Sequence, residues 1–255
     1  MSLVDSNLQR LPQFLGLGVQ KGGTTTLQKL LEQHPQVWLS PQKELQFFSL
    51  QYDRGPEWYA GCFAQAQPHQ ICGDITPYYI FHPQAAKRIA SLIPAARLIV
   101  LLRDPVERCL SQYFHSCRLG LESLDLEAAL AAEPVRLAGS EDQLLAANGR
   151  HRGHQEHSYV ARSRYEDQLN CYWQYFDHQQ LILIKSEEFF ERCDDVWLRI
   201  QQFLGLEPIP LPQMCSPANA GDGEAASVPK EIRALLRQQL DSTYRVMEDR
   251  YGISW

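Results

Sequence analysis

No apolar run in this 255-residue chain approaches the roughly 20 residues needed to cross a bilayer, and Met1 to Arg10 lacks the apolar core of a signal peptide. Those two absences set the expectation of a cytoplasmic protein with no membrane partner. An excess of positive charge is also missing: 24 Lys and Arg stand against 30 Asp and Glu, a formal net charge of -6. A general nucleic-acid binder is disfavoured on that ground, whereas a local basic pocket for a small anion is compatible with it. The seven cysteines, at 62, 72, 109, 117, 171, 193 and 215, are odd in number and form no C-x-x-C pair. Their spacing indicates neither a zinc site nor a disulfide framework, and we read them as buried free thiols, with no metal expected. There is no internal repeat, no low-complexity tract and no shift in composition, so residues 1–255 are read as one domain.

What the chain does contain is a set of short β-rich apolar runs, at 14–19, 70–73, 97–102 and 180–185, separated by helical patterns. Helices are expected near 25–34, 83–93, 105–118, 125–133, 163–177, 194–204 and 229–251. This alternation predicts an α/β fold, a parallel sheet with helices on both faces in three layers. Residues 133–162 and 205–228 read as irregular, and the first of these is a candidate lid.

The first run leads directly into Gln20-Lys21-Gly22-Gly23-Thr24-Thr25-Thr26. Glycines let a strand-to-helix turn close tightly, the helix start supplies donors and a positive dipole end, and Lys21 adds a full charge, so the loop suits a phosphate or sulfate. A nucleotide P-loop places its lysine after the last glycine, followed by a hydroxyl that holds magnesium. Here Lys21 precedes the glycines, which suggests an anion grip without the kinase arrangement.

A second signal is Arg97-Leu-Ile-Val-Leu-Leu-Arg103-Asp-Pro-Val-Glu-Arg-Cys-Leu-Ser111. A buried strand delivers Arg103 to its carboxyl end, and Pro105 opens a helix that brings Ser111 round within two turns. A planar guanidinium and a neutral hydroxyl together suit a terminal phosphate. The competing reading pairs Arg103 with Asp104 or Glu107 as a helix-start network. His115, four residues after Ser111, falls on the same helix face, either as a substrate contact or as a half-buried structural histidine.

Lys21 to Thr26 and Arg103 to Ser111 resemble the two cofactor motifs of sulfotransferases that use 3′-phosphoadenosine 5′-phosphosulfate (PAPS). Between them, Pro41-Gln-Lys-Glu44-Leu-Gln-Phe-Phe48 is similar to a segment of the heparan sulfate sulfotransferases, and the likeness extends through Tyr165, Gln168-Leu169, Phe203-Leu-Gly-Leu206 and Tyr251-Gly-x-x-Trp255. The overall style is that of bacterial stand-alone enzymes. The resemblance implies a P-loop nucleoside triphosphate hydrolase-like fold. It also implies that Lys21, Gly22, Gly23, Thr24, Thr25 and Thr26 bind the 5′-phosphosulfate, with Lys21 stabilising the leaving oxygen, and that Arg103 and Ser111 bind the 3′-phosphate. Glu44 is implied as the catalytic base, and the partner as a small-molecule, carbohydrate or lipid acceptor.

The chain departs from that pattern in two places. Asp74-Ile75-Thr76 has Ile75 where the heparan enzymes carry a lysine, and Asn219 to Glu224 lacks the cations of the usual 3′-phosphate loop, leaving only backbone N–H groups there. Asp74, at a strand end, is open to orienting Lys21 or contacting the acceptor, with capping of the Thr-Pro turn the preferred reading. His151-Arg-Gly-His154-Gln-Glu-His157 invites a metal hypothesis, but its glycine and polar flanks favour a mobile solvated loop. Two rivals remain at this stage: a P-loop small-molecule kinase with Asp104 on magnesium, and a catalytically silent nucleotide-binding protein of the same fold.

Overall fold

A computed structural model describes residues 10–212 and 223–255; Asn219 to Asp222 of the expected anion loop, and Cys215, lie outside them. The chain runs β1 (Phe14–Gly18), α1 (Thr24–Glu32), β2 (Val37–Leu39), α2 (Gly55–Gly61), β3 (Ile71–Ile75), α3 (Ala85–Leu92), β4 (Arg97–Leu102), α4 (Pro105–Arg118) and α5 (Leu126–Leu137). It continues through α6 (Ser140–Leu144), α7 (Arg152–Glu156), α8 (Tyr165–Trp173), β5 (Leu181–Lys185), α9 (Ser186–Glu191), α10 (Cys193–Leu204), α11 (Lys230–Gln239) and α12 (Asp241–Tyr251). The five strands form one parallel sheet in the order β2-β3-β1-β4-β5.

Strand β4 shows how the pleat builds the layers, since successive side chains leave a strand on opposite faces. Leu98, Val100 and Leu102 enter a core with Leu15, Leu17, Ile89, Tyr165, Leu169 and Met247, contributed in part by α3, α8 and α12. Ile99 and Leu101 enter the other core, with Leu27, Leu30, Val196, Trp197 and Ile200 from α1 and α10. A third cluster packs α4 against α5 and α11 through Leu110, Tyr113, Ala129, Leu236 and Leu240.

Some sequence expectations need correction. Strand β2 is absent from the sequence reading, because three residues are too few to show a period. The expected single helix over 229–251 is two helices that break at Leu240, where φ is -104 and ψ is 10. The break serves two cores at once, because Leu236 and Leu240 pack on α4 while Met247 packs under the sheet. The expected irregular stretch 133–162 holds the end of α5, which continues through Pro134 to Leu137, together with α6 and α7. It is packed down rather than open: the Glu133 carboxylate accepts the Val160 and Ala161 N–H groups at 2.8 Å each.

Cys62, Cys72, Cys109, Cys117 and Cys171 are free, but only Cys72 and Cys109 of these are buried, Cys171 is exposed, and Cys193 is disulfide-bonded, so buried thiols do not account for every cysteine. No helix among the described residues is long and apolar enough to cross a membrane.

Candidate active site

The loop between β1 and α1 is pressed against the end of β4. Val19 N–H donates to Leu101 O at 2.8 Å, and a Cβ on Gly22 would lie only 2.7 Å from that same oxygen. Gly23 caps α1 with φ 101, a left-handed conformation that disfavours any side chain. Ser186 donates to Gly22 O at 2.6 Å and fixes the loop from the β5 side. Lys21 sits inside this turn at φ 71, and Thr24, Thr25 and Thr26 form the first turn of α1.

Cations gather at that point. Arg103, leaving β4, donates to Lys21 O at 3.4 Å, and its own carbonyl accepts the Tyr165 hydroxyl at 2.8 Å. Burial first, then Arg118 and Arg103, push the Lys21 ammonium below the ordinary lysine range. Burial, Lys21 and Arg118 likewise push His115 down. Lys21, Arg103 and Arg118 therefore form one electropositive cluster at the positive end of α1, which drives the neighbouring His115 toward its neutral form, with Ser111 half-buried on the α4 face that carries His115. Arg118 escapes the sequence reading, although Ser111, His115 and Arg118 follow an i, i+4, i+7 spacing that could have found it.

The helix-start alternative for Arg103 does not hold among the described residues. Asp104 caps α4 by accepting Glu107 N–H at 2.8 Å and also accepts the Tyr244 hydroxyl at 2.8 Å, while Glu107 pairs with Arg233.

Glu44 approaches from the segment after β2. Its neighbour Lys43 donates to Thr25 Oγ1 at 2.8 Å, which ties the segment to the first turn of α1. Phe47 and Phe48 anchor it below, with Phe47 stacked on Tyr59 at 4.2 Å between ring centres. Glu44 has φ 54 and Gln46 φ 56, so with Lys21 they are the three non-glycine residues of positive φ among those described. Such conformations cost of order 1–3 kcal/mol each and persist where the surroundings over-determine them. Burial pushes the Glu44 carboxyl above the ordinary range and Asp74 adds to this, whereas Lys43, Arg162 and a hydrogen bond from Gln46 pull it down.

Two further residues stand behind the site. Arg162, 2% exposed, donates to Gln20 Oε1 next to Lys21 and to the carbonyls of His154 and Gln155 at 2.9 and 3.0 Å. Asp74 lies buried beneath the Glu44 segment and accepts the hydroxyls of Tyr59, Tyr79 and Thr76. The turn-cap reading captures only the Thr76 contact.

The histidine segment is not the solvated loop expected. His154 is 6% exposed, bonds the Tyr78 hydroxyl at 2.7 Å and stacks on Phe81 at 4.0 Å; burial, with Arg162 beside it, pushes its pKa down to about 2. The glycine in this stretch serves close packing, since a Cβ on Gly153 would meet Arg136 O at 2.2 Å. No group of three or more His, Cys, Asp or Glu among the described residues is arranged to hold a metal ion. Ile75 is buried against Gly16 within the α1 core, so its place in the sheet is apolar packing.

Comparison with known proteins gives a consistent result. A model of the sulfotransferase domain matches residues 11–219. Heparan sulfate glucosamine 3-O-sulfotransferase 3A1 of Homo sapiens is 30% identical over 207 residues, covering 81% of this chain and 47% of that protein. Membrane-associated sulfotransferase kil1 of Dictyostelium discoideum is 43% identical over 116 residues, 44% of this chain and 25% of that protein. The chain thus spans about half the length, or less, of these curated relatives. Among solved structures, a sulfotransferase from Alicyclobacillus acidocaldarius shares the fold with a TM-score of 0.72 at 24% identity, covering 94% of this chain and 97% of the other.

Proposed function

From the premise that this chain belongs to the sulfotransferase domain family, we propose that it transfers a sulfuryl group from PAPS to an acceptor hydroxyl or amine, with Glu44 as general base. The observation that carries this reading is the meeting of two opposite chemistries at one helix start. Arg103 and Arg118, the latter paired with Glu224, set positive charge beside Lys21, and the Glu44 segment is tied to the same helix by Lys43 and Thr25.

PAPS, when bound, supplies an activated sulfuryl group on a phosphosulfate anhydride. Gly22, Gly23 and Thr24 to Thr26 line the turn that would cradle its 5′ end, and Arg103 with Ser111 would hold the 3′-phosphate. Lys21 stabilises charge that gathers on the departing oxygen, the role preorganised donors play in transfer reactions of this kind. Glu44 removes the acceptor proton; its raised pKa makes it a stronger base than an exposed glutamate. The names of the heparan sulfate relatives favour a carbohydrate acceptor.

Calorimetry tests the donor assignment. Adenosine 3′,5′-bisphosphate without metal is expected to bind, and ATP with magnesium to bind far more weakly; the reverse order would favour the kinase reading. Transfer of radiolabelled sulfate from PAPS to any member of an acceptor panel separates an enzyme from a silent binder.

A further inference from the structure

Three side-chain hydroxyls surround a carboxylate that no cation touches. Asp74, at the end of β3, is 3% exposed. Its Oδ2 accepts Tyr59 and Tyr79 hydroxyls at 2.9 and 2.6 Å, and its Oδ1 accepts Thr76 at 2.8 Å. Burial pushes the Asp74 carboxyl above the ordinary range, while the backbone N–H of Leu45 lies near enough to favour its ionised form. Among the described residues no Lys, Arg or His forms an ion pair with it. A buried charge without a counter-ion is expensive, and a neutral or apolar core would be cheaper if packing were the only need. A carboxylate is, however, an acceptor-only group able to take all three hydroxyls.

Those donors lead to Glu44. Leu45, close above Asp74, stands between Glu44 and Gln46, the two left-handed residues of this segment. The Gln46 N–H reaches Thr76 Oγ1 at 3.5 Å, and Thr76 in turn donates to Asp74. Gln46 is held a second way, by the Ser49 hydroxyl on its side-chain oxygen at 2.7 Å.

We propose that Asp74 is a positioning residue for Glu44: through Thr76 its carboxylate holds the Gln46 N–H, and with it the left-handed Glu44 and Gln46 that present the base, and its charge faces that base from below. This rests on the reading of Glu44 as the base. The charged groups around Glu44 are Lys43 on its own segment, Asp74 from β3 and Arg162 after α7. Asp74 opposes ionisation of Glu44, while Lys43 and Arg162 favour it. Removing Asp74's charge and removing Arg162's charge must therefore move Glu44 in opposite directions, which a general loosening of the fold would not do.

The test uses the full chain with glutamate carboxyls labelled by carbon-13, the Glu44 resonance being identified by its loss in Glu44→Gln. In Asp74→Asn that resonance is expected to titrate at lower pH than in the parent, and in Arg162→Gln at higher pH. Transfer from PAPS in Asp74→Asn is expected to lose about tenfold to a hundredfold in kcat, from misplacement of the base, with binding of adenosine 3′,5′-bisphosphate unchanged. An unmoved Glu44 titration in Asp74→Asn, or shifts of the same sign in both variants, overturns the proposal. Should Asp74→Asn lack a cooperative melt, Thr76→Val cuts the link to Gln46 instead; it should lose kcat with nucleotide binding intact, and full activity in it also overturns the clamp. Retained transfer in Glu44→Gln would sink the base assignment separately, because the titration shifts judge Asp74 without reference to turnover.

Discussion

Arg103 donates to the backbone carbonyl of Lys21 at 3.4 Å, so the residue that ends β4 holds the turn that follows β1. The two sequence motifs are thereby one physical object, and a change in either is transmitted to the other through that contact and through the shared positive charge around Lys21.

Replacing Arg103 by alanine deletes charge-assisted hydrogen bonds and should weaken adenosine 3′,5′-bisphosphate by about 1.5 to 3 kcal/mol. Calorimetry against an analogue lacking the 3′-phosphate is the control. The loss should be much smaller for the analogue; equal losses would assign Arg103 to holding the loop alone.

Glu44→Gln keeps the size of the side chain and removes its basicity. Turnover from PAPS should fall by about 10²–10⁴, the usual contribution of a general base, with nucleotide affinity preserved. Comparable turnover in this variant removes Glu44 from the chemistry.

Lys21 is penalised for being charged in the fold, since burial and two arginines lower its pKa. Its ionisation therefore subtracts from stability at every pH below the folded pKa, and the penalty fades as pH rises through that value. Lys21→Met should accordingly melt no lower than the parent, by differential scanning calorimetry at pH 7, yet lose the rise in Tm that adenosine 3′,5′-bisphosphate confers. A lower Tm together with an intact ligand response would contradict both halves of this expectation.

His154, held neutral with a pKa of about 2 against an ordinary value of 6.5, makes the opposite kind of contribution. The unfolded chain binds a proton below 6.5 that the folded chain refuses, so stability present above that pH is lost as pH falls, at about 1.4 kcal/mol per unit. Urea unfolding at pH 7 and pH 5 should show a smaller acid loss in His154→Gln than in the parent. An identical loss in the two would mean that the ring is not the group responsible.

The fold was legible because its main signals are local. The β1 and β4 runs are apolar almost throughout, as strands covered on both faces must be, and the glycines after β1 and Pro105 after Asp104 mark where each helix begins. Residues 151–157 mislead for the converse reason: Gly153 and the polar neighbours of His154 are loop-like in isolation, and only the faces of Tyr78, Phe81 and Arg162 turn them into a packed helix. For Arg162 and Asp74 the sequence gives no sign of burial, since nothing in their immediate neighbours distinguishes a buried charge from an exposed one.

Short-range pattern alone thus determined a parallel α/β sheet and marked two strand-to-helix turns with a carboxylate between them, because periodicity, glycine freedom and helix-start donors are properties of a few consecutive residues. Tertiary structure decided what surrounds that carboxylate: Lys43 against Thr25, Arg162 against Gln20, and Asp74 beneath Leu45. Burial and charge at a point in space are sums over every segment that passes there. Glu44 is tuned by Asp74 from β3 and by Arg162 from beyond α7, a sum no local window contains.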